Sequence, residues 1–166
     1  MITQPIKHSY WVVPGKLLAG EYPRNVDEES SQAKIDALLS AGMANFIDLT
    51  EATEGLLPYA HMIGAASHQR FAIRDVSIPD SPEQTKEILD AIDRHLDEGR
   101  KVYVHCWGGV GRTGIIVGCW LARHGSGGNE ALKKLRELWQ SCPKSSLRMS
   151  PETRQQEQYI LNWRES

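Results

Sequence analysis

Lys101-Val102-Tyr103-Val104-His105-Cys106-Trp107-Gly108-Gly109-Val110-Gly111-Arg112-Thr113-Gly114-Ile115-Ile116-Val117 is the stretch on which the fold turns. Lys101 to His105 is a short apolar run of strand length, with β-branched and aromatic residues and no helical spacing. Three glycines then crowd a five-residue turn, and Thr113 to Arg123 is apolar almost all round, as expected of a central, buried helix. A buried strand that turns directly into a buried helix is the unit of an α/β protein.

The flanks extend the same pattern. Upstream, Ser81-Pro82-Glu83 offers a capping hydroxyl, a proline at the first helical position and an acid in the first turn. It predicts a helix to Glu98, closed by Gly99, with Ile88, Ala91, Ile92 and Leu96 facing the core. His68 to Ile73 and Ala44 to Thr50 read as strands, while Glu51 to Ser67 lacks periodicity and reads as loop. Asp27 to Ser40 carries apolar residues at helical spacing before Gly42, and Tyr10–Val13 with Leu17–Ala19 form a hairpin around Pro14-Gly15. Downstream, a helix begins at Asn129 and runs through Leu132, Leu135, Leu138 and Trp139. Ser150-Pro151-Glu152 repeats the earlier start signal and predicts a last helix through Tyr159, Ile160 and Trp163. The whole predicts one domain over 1–166, a small central sheet flanked by helices.

Composition narrows the function. The chain has 166 residues, 40% hydrophobic and 24% charged, ordinary for a globular domain. With 19 basic against 21 acidic residues the formal charge is −2, which argues against gripping nucleic acid or an anionic membrane through a basic face. The longest apolar run, Gly114 to Ala122, falls well short of the ~18 residues a bilayer span needs. Three cysteines without paired spacing exclude a disulfide scaffold. Met1-Ile2-Thr3-Gln4-Pro5 lacks the layout of a secretory signal, so a soluble, cytoplasmic protein is expected.

The strand–turn–helix element also carries the chemistry. Glycines at 108, 109 and 111 let successive backbone N–H groups converge at a helix N-terminus, a cradle for an anion. Arg112 adds a planar fork of donors that suits two phosphoryl oxygens at once. A thiol at the centre of that positive field, Cys106, favours its thiolate, and a thiolate there is placed to attack the phosphorus the loop holds. Metal binding by His105 and Cys106 is disfavoured because neighbours on a strand point to opposite faces.

The string His105-Cys106-x5-Arg112-Thr113 is similar to the signature of cysteine-dependent protein phosphatases, and with Gly-Gly-x-Gly-Arg-Thr-Gly it looks most like the small dual-specificity members. Trp11-Val12-Val13-Pro14-Gly15-Lys16-Leu17-Leu18-Ala19-Gly20, Ile73-Arg74-Asp75-Val76-Ser77-Ile78-Pro79 and Ser150-Pro151-Glu152-Thr153-Arg154-Gln155-Gln156 resemble further segments of that family; Glu51 to Ser67 resembles none. The resemblance implies a protein tyrosine phosphatase-like fold and assigns roles. Cys106 is the nucleophile, and Arg112 binds the phosphoryl oxygens. Asp75 is the general acid, with Asp80 and more weakly Asp48 as alternatives. Thr113 donates its hydroxyl to the Cys106 sulfur, and His105 fixes the loop. The backbone of Trp107, Gly108, Gly109, Val110, Gly111 and Arg112 holds the phosphate. No metal and no cofactor is implied. The expected partner is a phosphorylated protein, phosphotyrosine or also phosphoserine and phosphothreonine, met by a monomer.

Other readings compete for the same residues. Gly109-Val110-Gly111-Arg112-Thr113-Gly114 spells GxGxxG, but no strand follows it to complete a βαβ unit. Phosphoinositide or small-ester hydrolysis is the alternative substrate class; Trp107 and Val110, where a loop for polyphosphorylated rings would carry lysines, argue against it. A phosphate-binding module without turnover, and a redox thiol enzyme using Cys119 or Cys142 as resolving cysteine, stand as other classes. Lys144, Arg70 and Arg74 read as solvated charges.

Overall fold

The computed structural model describes residues 2–165. Its strands are β1 (Ser9–Val13), β2 (Leu17–Gly20), β3 (Met43–Asp48), β4 (Ser67–Arg70) and β5 (Lys101–His105). Its helices are α1 (Glu28–Ser40), α2 (Pro82–Asp97), α3 (Arg112–Arg123), α4 (Gly128–Trp139) and α5 (Arg154–Leu161), with short 3-10 turns at Ala52–Glu54, Ala60–Met62 and Pro143–Ser146. The strands form one sheet in the order β1-β2-β5-β3-β4. Only β1 runs antiparallel, closing the predicted hairpin with β2; β2, β5, β3 and β4 are mutually parallel.

Alternation along the strands divides the core in two, as a period of two requires. Leu17, Ala19, Ile47, Val102 and Val104 face α2, α3, α4 and α5, and Leu18, Phe46 and Tyr103 face α1 and the 3-10 turns. All eight are buried. The central strand β5 is thereby covered on both sides, and parallel order brings the carboxyl ends of β2, β3, β4 and β5 to a single edge. The four connections that leave that edge, 21–27, 49–66, 71–81 and 106–111, build the site.

Helix starts mostly follow the predicted chemistry. Ser81 caps α2, its hydroxyl accepting from the Gln84 N–H at 3.1 Å. Asp27 caps α1 through Ser30 N–H at 2.7 Å. Two expectations need correction. The strand predicted over His68 to Ile73 ends at Arg70, although Phe71 and Ile73 still donate single backbone bonds to Asp48 and Leu49. The last helix does not start at Ser150-Pro151-Glu152: its cap is Thr153, paired reciprocally with Gln156. Ser150 is fully buried, and its hydroxyl donates instead to the Val110 carbonyl at 2.7 Å. A buried hydroxyl must find a partner, and this one finds it on the glycine-rich loop.

Candidate active site

The loop after β5 is shaped by what its carbonyls do. Cys106 O lies 3.0 Å from His105 Nδ1, Trp107 O accepts from the Tyr22 N–H at 2.9 Å, and Gly108 O accepts from Lys144 Nζ at 2.7 Å. Val110 O takes the Ser150 hydroxyl, and Gly111 O takes the Ile115 N–H that starts α3. In a planar trans peptide the N–H opposes the C=O, so carbonyls tied outward leave the amides facing inward. The Gly109 N–H reports that direction, donating to Cys106 Sγ at 3.2 Å. Gly109 is irreplaceable on two counts: its φ is +77°, and a Cβ would lie 2.5 Å from the Gly20 carbonyl carbon.

Arg112 opens α3 and is 1% exposed. Its Nη1 and Nη2 sit 2.7 and 3.0 Å from the two carboxylate oxygens of Glu54, a bidentate pair. Nη1 also donates to the Ile73 carbonyl at 3.0 Å. Burial pulls the Arg112 pKa down, but the Glu54 hydrogen bonds and the nearby Cys106 and Asp75 charges outweigh it and raise the pKa, so the guanidinium stays charged. Nε is buried with no partner among the described residues. An orphaned guanidinium donor is costly in a fold, and here it marks a direction reserved for an acceptor.

Asp75 reaches the same guanidinium, Oδ1 lying 3.2 Å from Arg112 Nη2. The carboxylate is 49% exposed, and Oδ1 also accepts from the Val76 N–H at 2.9 Å. Val76 has a φ of +56°, uncommon for a β-branched residue, and the strain falls one residue from the candidate acid. Asp80, the alternative, does not line the cavity; its N–H donates to the Gln84 side chain at the start of α2. Asp48 is fully buried, accepting from Thr50 and bonded to His68 and Arg70. Burial would raise its pKa, but the His68 bond, the His105 ring and the Thr50 bonds hold it well below the usual carboxylate range. Of the three carboxylates weighed in the sequence, only Asp75 stands at the loop.

His105 lies beneath the loop, fully buried. Its Nδ1 faces a carbonyl, which only accepts, so Nδ1 carries the proton and Nε2 accepts from the Tyr59 hydroxyl at 2.6 Å. Burial pushes His105 down to about 4, leaving it neutral near pH 7. It thus supports the Cys106 backbone and does not contact the sulfur. Thr113 departs from its expected role: its hydroxyl is buried with no hydrogen-bond partner among the described residues, and the sulfur's donor is Gly109. The first turn of α3 buries Thr113 completely. Cys119 and Cys142 are buried and free, and burial pushes both thiols up.

These groups meet in a cavity of about 350 Å³ lined by Cys106, Arg112, Asp75, Trp107, Lys144 and Arg148 among others. Trp107 stands 61% exposed at its mouth, whereas Val110 is 3% exposed and packs into the core. Of the two loop positions without lysine, only Trp107 therefore faces the mouth. Lys144 and Arg148 bring two cations to the cavity from the segment after α4, and Lys144 also pairs with Glu21 at 3.1 Å. Glu54, Tyr59 and Arg148 carry no local signal for a place in the site: Glu54 and Tyr59 act on Arg112 and His105 across 58 and 46 residues, and Arg148 reaches the cavity wall beside its i,i+4 partner Glu152. Among the described residues no cluster of three or more His, Cys, Asp or Glu is arranged for a metal ion, and no helix is long and apolar enough to cross a membrane.

Residues 7–160 match the family described as Swiss Army Knife protein, DSP-PTPase phosphatase domain. The chain is 32% identical over 113 residues to "Putative tyrosine phosphatase 067L" of Invertebrate iridescent virus 3, a match covering 66% of this chain and 44% of that protein. It is also 32% identical over 91 residues to the phosphatidylglycerophosphate phosphatase PTPMT1 of Arabidopsis thaliana, covering 54% of this chain and 27% of the relative. These matches span less than half the length of either relative. The crystal structure of Tk-PTP in the active form superposes with a TM-score of 0.72 at 25% identity, over 92% of this chain and 93% of that one.

Proposed function

The chain belongs to the DSP-PTPase phosphatase family, and from that premise we propose that it hydrolyses phosphate monoesters on proteins, phosphotyrosine foremost, through a cysteinyl-phosphate on Cys106. One observation carries the reading: a single cavity holds a thiol that accepts from the Gly109 amide, a charged guanidinium with an orphaned donor and a half-exposed carboxylate. The amides and Arg112 Nε receive the phosphoryl oxygens. A further oxygen takes the place of Asp75 on Nη2, which frees that carboxyl to face the leaving group. Sγ attacks phosphorus in line, the ester oxygen departs with the proton of Asp75, and the cysteinyl-phosphate remains. Water then attacks that phosphorus and gives its proton to Asp75, and Sγ leaves as thiolate. Arg112 and the amides neutralise the transferring group, the part a metal plays in other phosphoryl-transfer sites.

A second substrate class has its own observation. Lys144 and Arg148 on the cavity wall suit an additional anionic group, as a phosphoinositide or a phosphorylated lipid headgroup would present. The likeness to PTPMT1 supports keeping that class open beside phosphoproteins.

The test is hydrolysis of para-nitrophenyl phosphate with EDTA present, by wild type and Cys106→Ser. Turnover that persists under chelation and is abolished in Cys106→Ser is expected. Activity surviving the substitution would remove Cys106 as nucleophile, and a folded, reduced wild type without turnover would leave a phosphate-binding module. Initial rates on a phosphotyrosine peptide above those on an inositol polyphosphate are expected; the reverse order would favour the second class.

A further inference from the structure

Exposed apolar surface on this protein is gathered at one end. Seven large apolar side chains stand out in solvent among the described residues. Val26, Leu57, Val76 and Trp107 lie one on each of the four connections leaving the carboxyl ends of β2, β3, β4 and β5. Leu147 and Met149 lie between α4 and α5, and only Ile2 is elsewhere. Scattered apolar exposure is ordinary, whereas a gathered patch marks contact with something.

Three of these residues, Val26, Leu57 and Trp107, line a second cavity of about 340 Å³ between 21–26 and 55–57. Glu21 and Trp107 belong to both cavities, so the groove adjoins the phosphate pocket. Its walls are fastened: Tyr22 Oη donates to Leu57 O at 2.7 Å, and Arg24 Nη1 donates to Pro58 O at 2.8 Å. Lys34 is neutralised by Glu21 at 2.7 Å and donates to Tyr22 O at 2.9 Å. With these polar groups engaged, what the groove offers a visitor is apolar: Val26 at 86%, Leu57 at 45% and Trp107 at 61% exposure.

We propose that this groove is a specificity subsite for an apolar side chain flanking the phosphorylated residue of a peptide; the proposal rests on the phosphatase reading of the adjoining cavity. A peptide suits it better than a bilayer. The mouth alternates Glu21, Asp75 and Glu152 with Lys144 and Arg148, so it lacks the excess positive charge that draws anionic headgroups. The groove is also concave and preformed, the shape of a side-chain pocket and not of a flat membrane contact.

The test compares kcat/KM for two phosphotyrosine peptides, one with Leu at the flanking positions and one with Gly, in wild type, Val26→Glu and Leu57→Glu. Both positions are exposed, so the fold tolerates a carboxylate there, and para-nitrophenyl phosphate reports the phosphate pocket alone. Wild type is expected to favour the Leu peptide by about tenfold. Each variant is expected to abolish that preference while keeping the wild-type rate on the aryl phosphate. Equal wild-type rates on the two peptides, or an intact preference in both variants, would overturn the subsite. So would a loss in the variants confined to phosphate esters presented in phospholipid vesicles, which would assign the groove to a bilayer. A wild type that does not turn over the aryl phosphate would instead sink the phosphatase reading beneath it.

Discussion

The loop at 106–111 and the loop at 71–81 face each other across one cavity and are held in opposite ways. In the first, each carbonyl at 106, 107, 108, 110 and 111 has a hydrogen-bond partner, drawn from β5, α3 and three distant segments. In the second, Asp75 is 49% exposed, follows the end of β4 by a few residues and adjoins a valine at φ +56°. The Asp75 side chain touches the site through one ion pair to Arg112, while the backbone around it is tied at Phe71, Ile73 and Ser77. Binding an anion rewards preorganised dipoles that need no rearrangement. Delivering a proton requires a group that changes partners between steps. The protein fixes the first function and leaves the second adjustable.

Substitutions in the two loops should therefore fail differently. Asp75→Asn is expected to lower kcat on an alkyl phosphate by about a thousandfold, because that leaving oxygen needs a proton. Inhibition by inorganic phosphate should hold or strengthen, because a phosphoryl oxygen no longer has to displace a carboxylate from Arg112 Nη2, and weakened inhibition would show that Asp75 helps bind. Gly109→Ala should do the reverse and weaken phosphate binding, since its Cβ meets Gly20 and displaces the amides. A loss of about a hundredfold in kcat/KM is expected, and an unaltered phosphate inhibition constant would contradict the account of the loop.

The smallest effect lies beneath the fixed loop, at His105. Its folded pKa of about 4 lies below the ordinary 6.5, so the unfolded chain binds the proton first as pH falls. The stabilising contribution is complete above about 6.5 and is lost as pH drops towards 4, about 2 kcal/mol of it between pH 7 and pH 5. His8 and His95 are also lowered by burial and contribute with the same sign. The measurement is therefore the difference between wild type and His105→Gln in urea unfolding at pH 7 and pH 5. The variant should lose less stability over that interval, and parallel losses would show that His105 is protonated in the fold.

What was legible in the sequence follows the range of each interaction. The strand, the glycine turn, the Arg112 helix start and the cap at Ser81 are local, and the structure has each where the sequence places it. The sequence favours Asp75 because Asp80 directly precedes the Ser81-Pro82 helix start, and the geometry agrees in bringing Asp75 to Arg112. Glu54 acts on Arg112 across 58 residues, Tyr59 on His105 across 46 and Lys144 on Gly108 across 36. No periodicity or capping signal records such pairings. Ser150 shows the converse: its local signal was that of a helix cap, and a loop 40 residues away claimed the hydroxyl.

The parallel run of β2, β5, β3 and β4 sends four connections out of one edge while the helices close the domain behind them. The exposed side chains at 26 and 57 can change without pulling on β5, whereas Glu54 and Tyr59, on either side of 55–57, are held by Arg112 and His105. The architecture thereby separates two rates of permissible change, slow for the anion cradle and fast for the rim. A single chemical core can be refitted to new clients by editing a few surface residues.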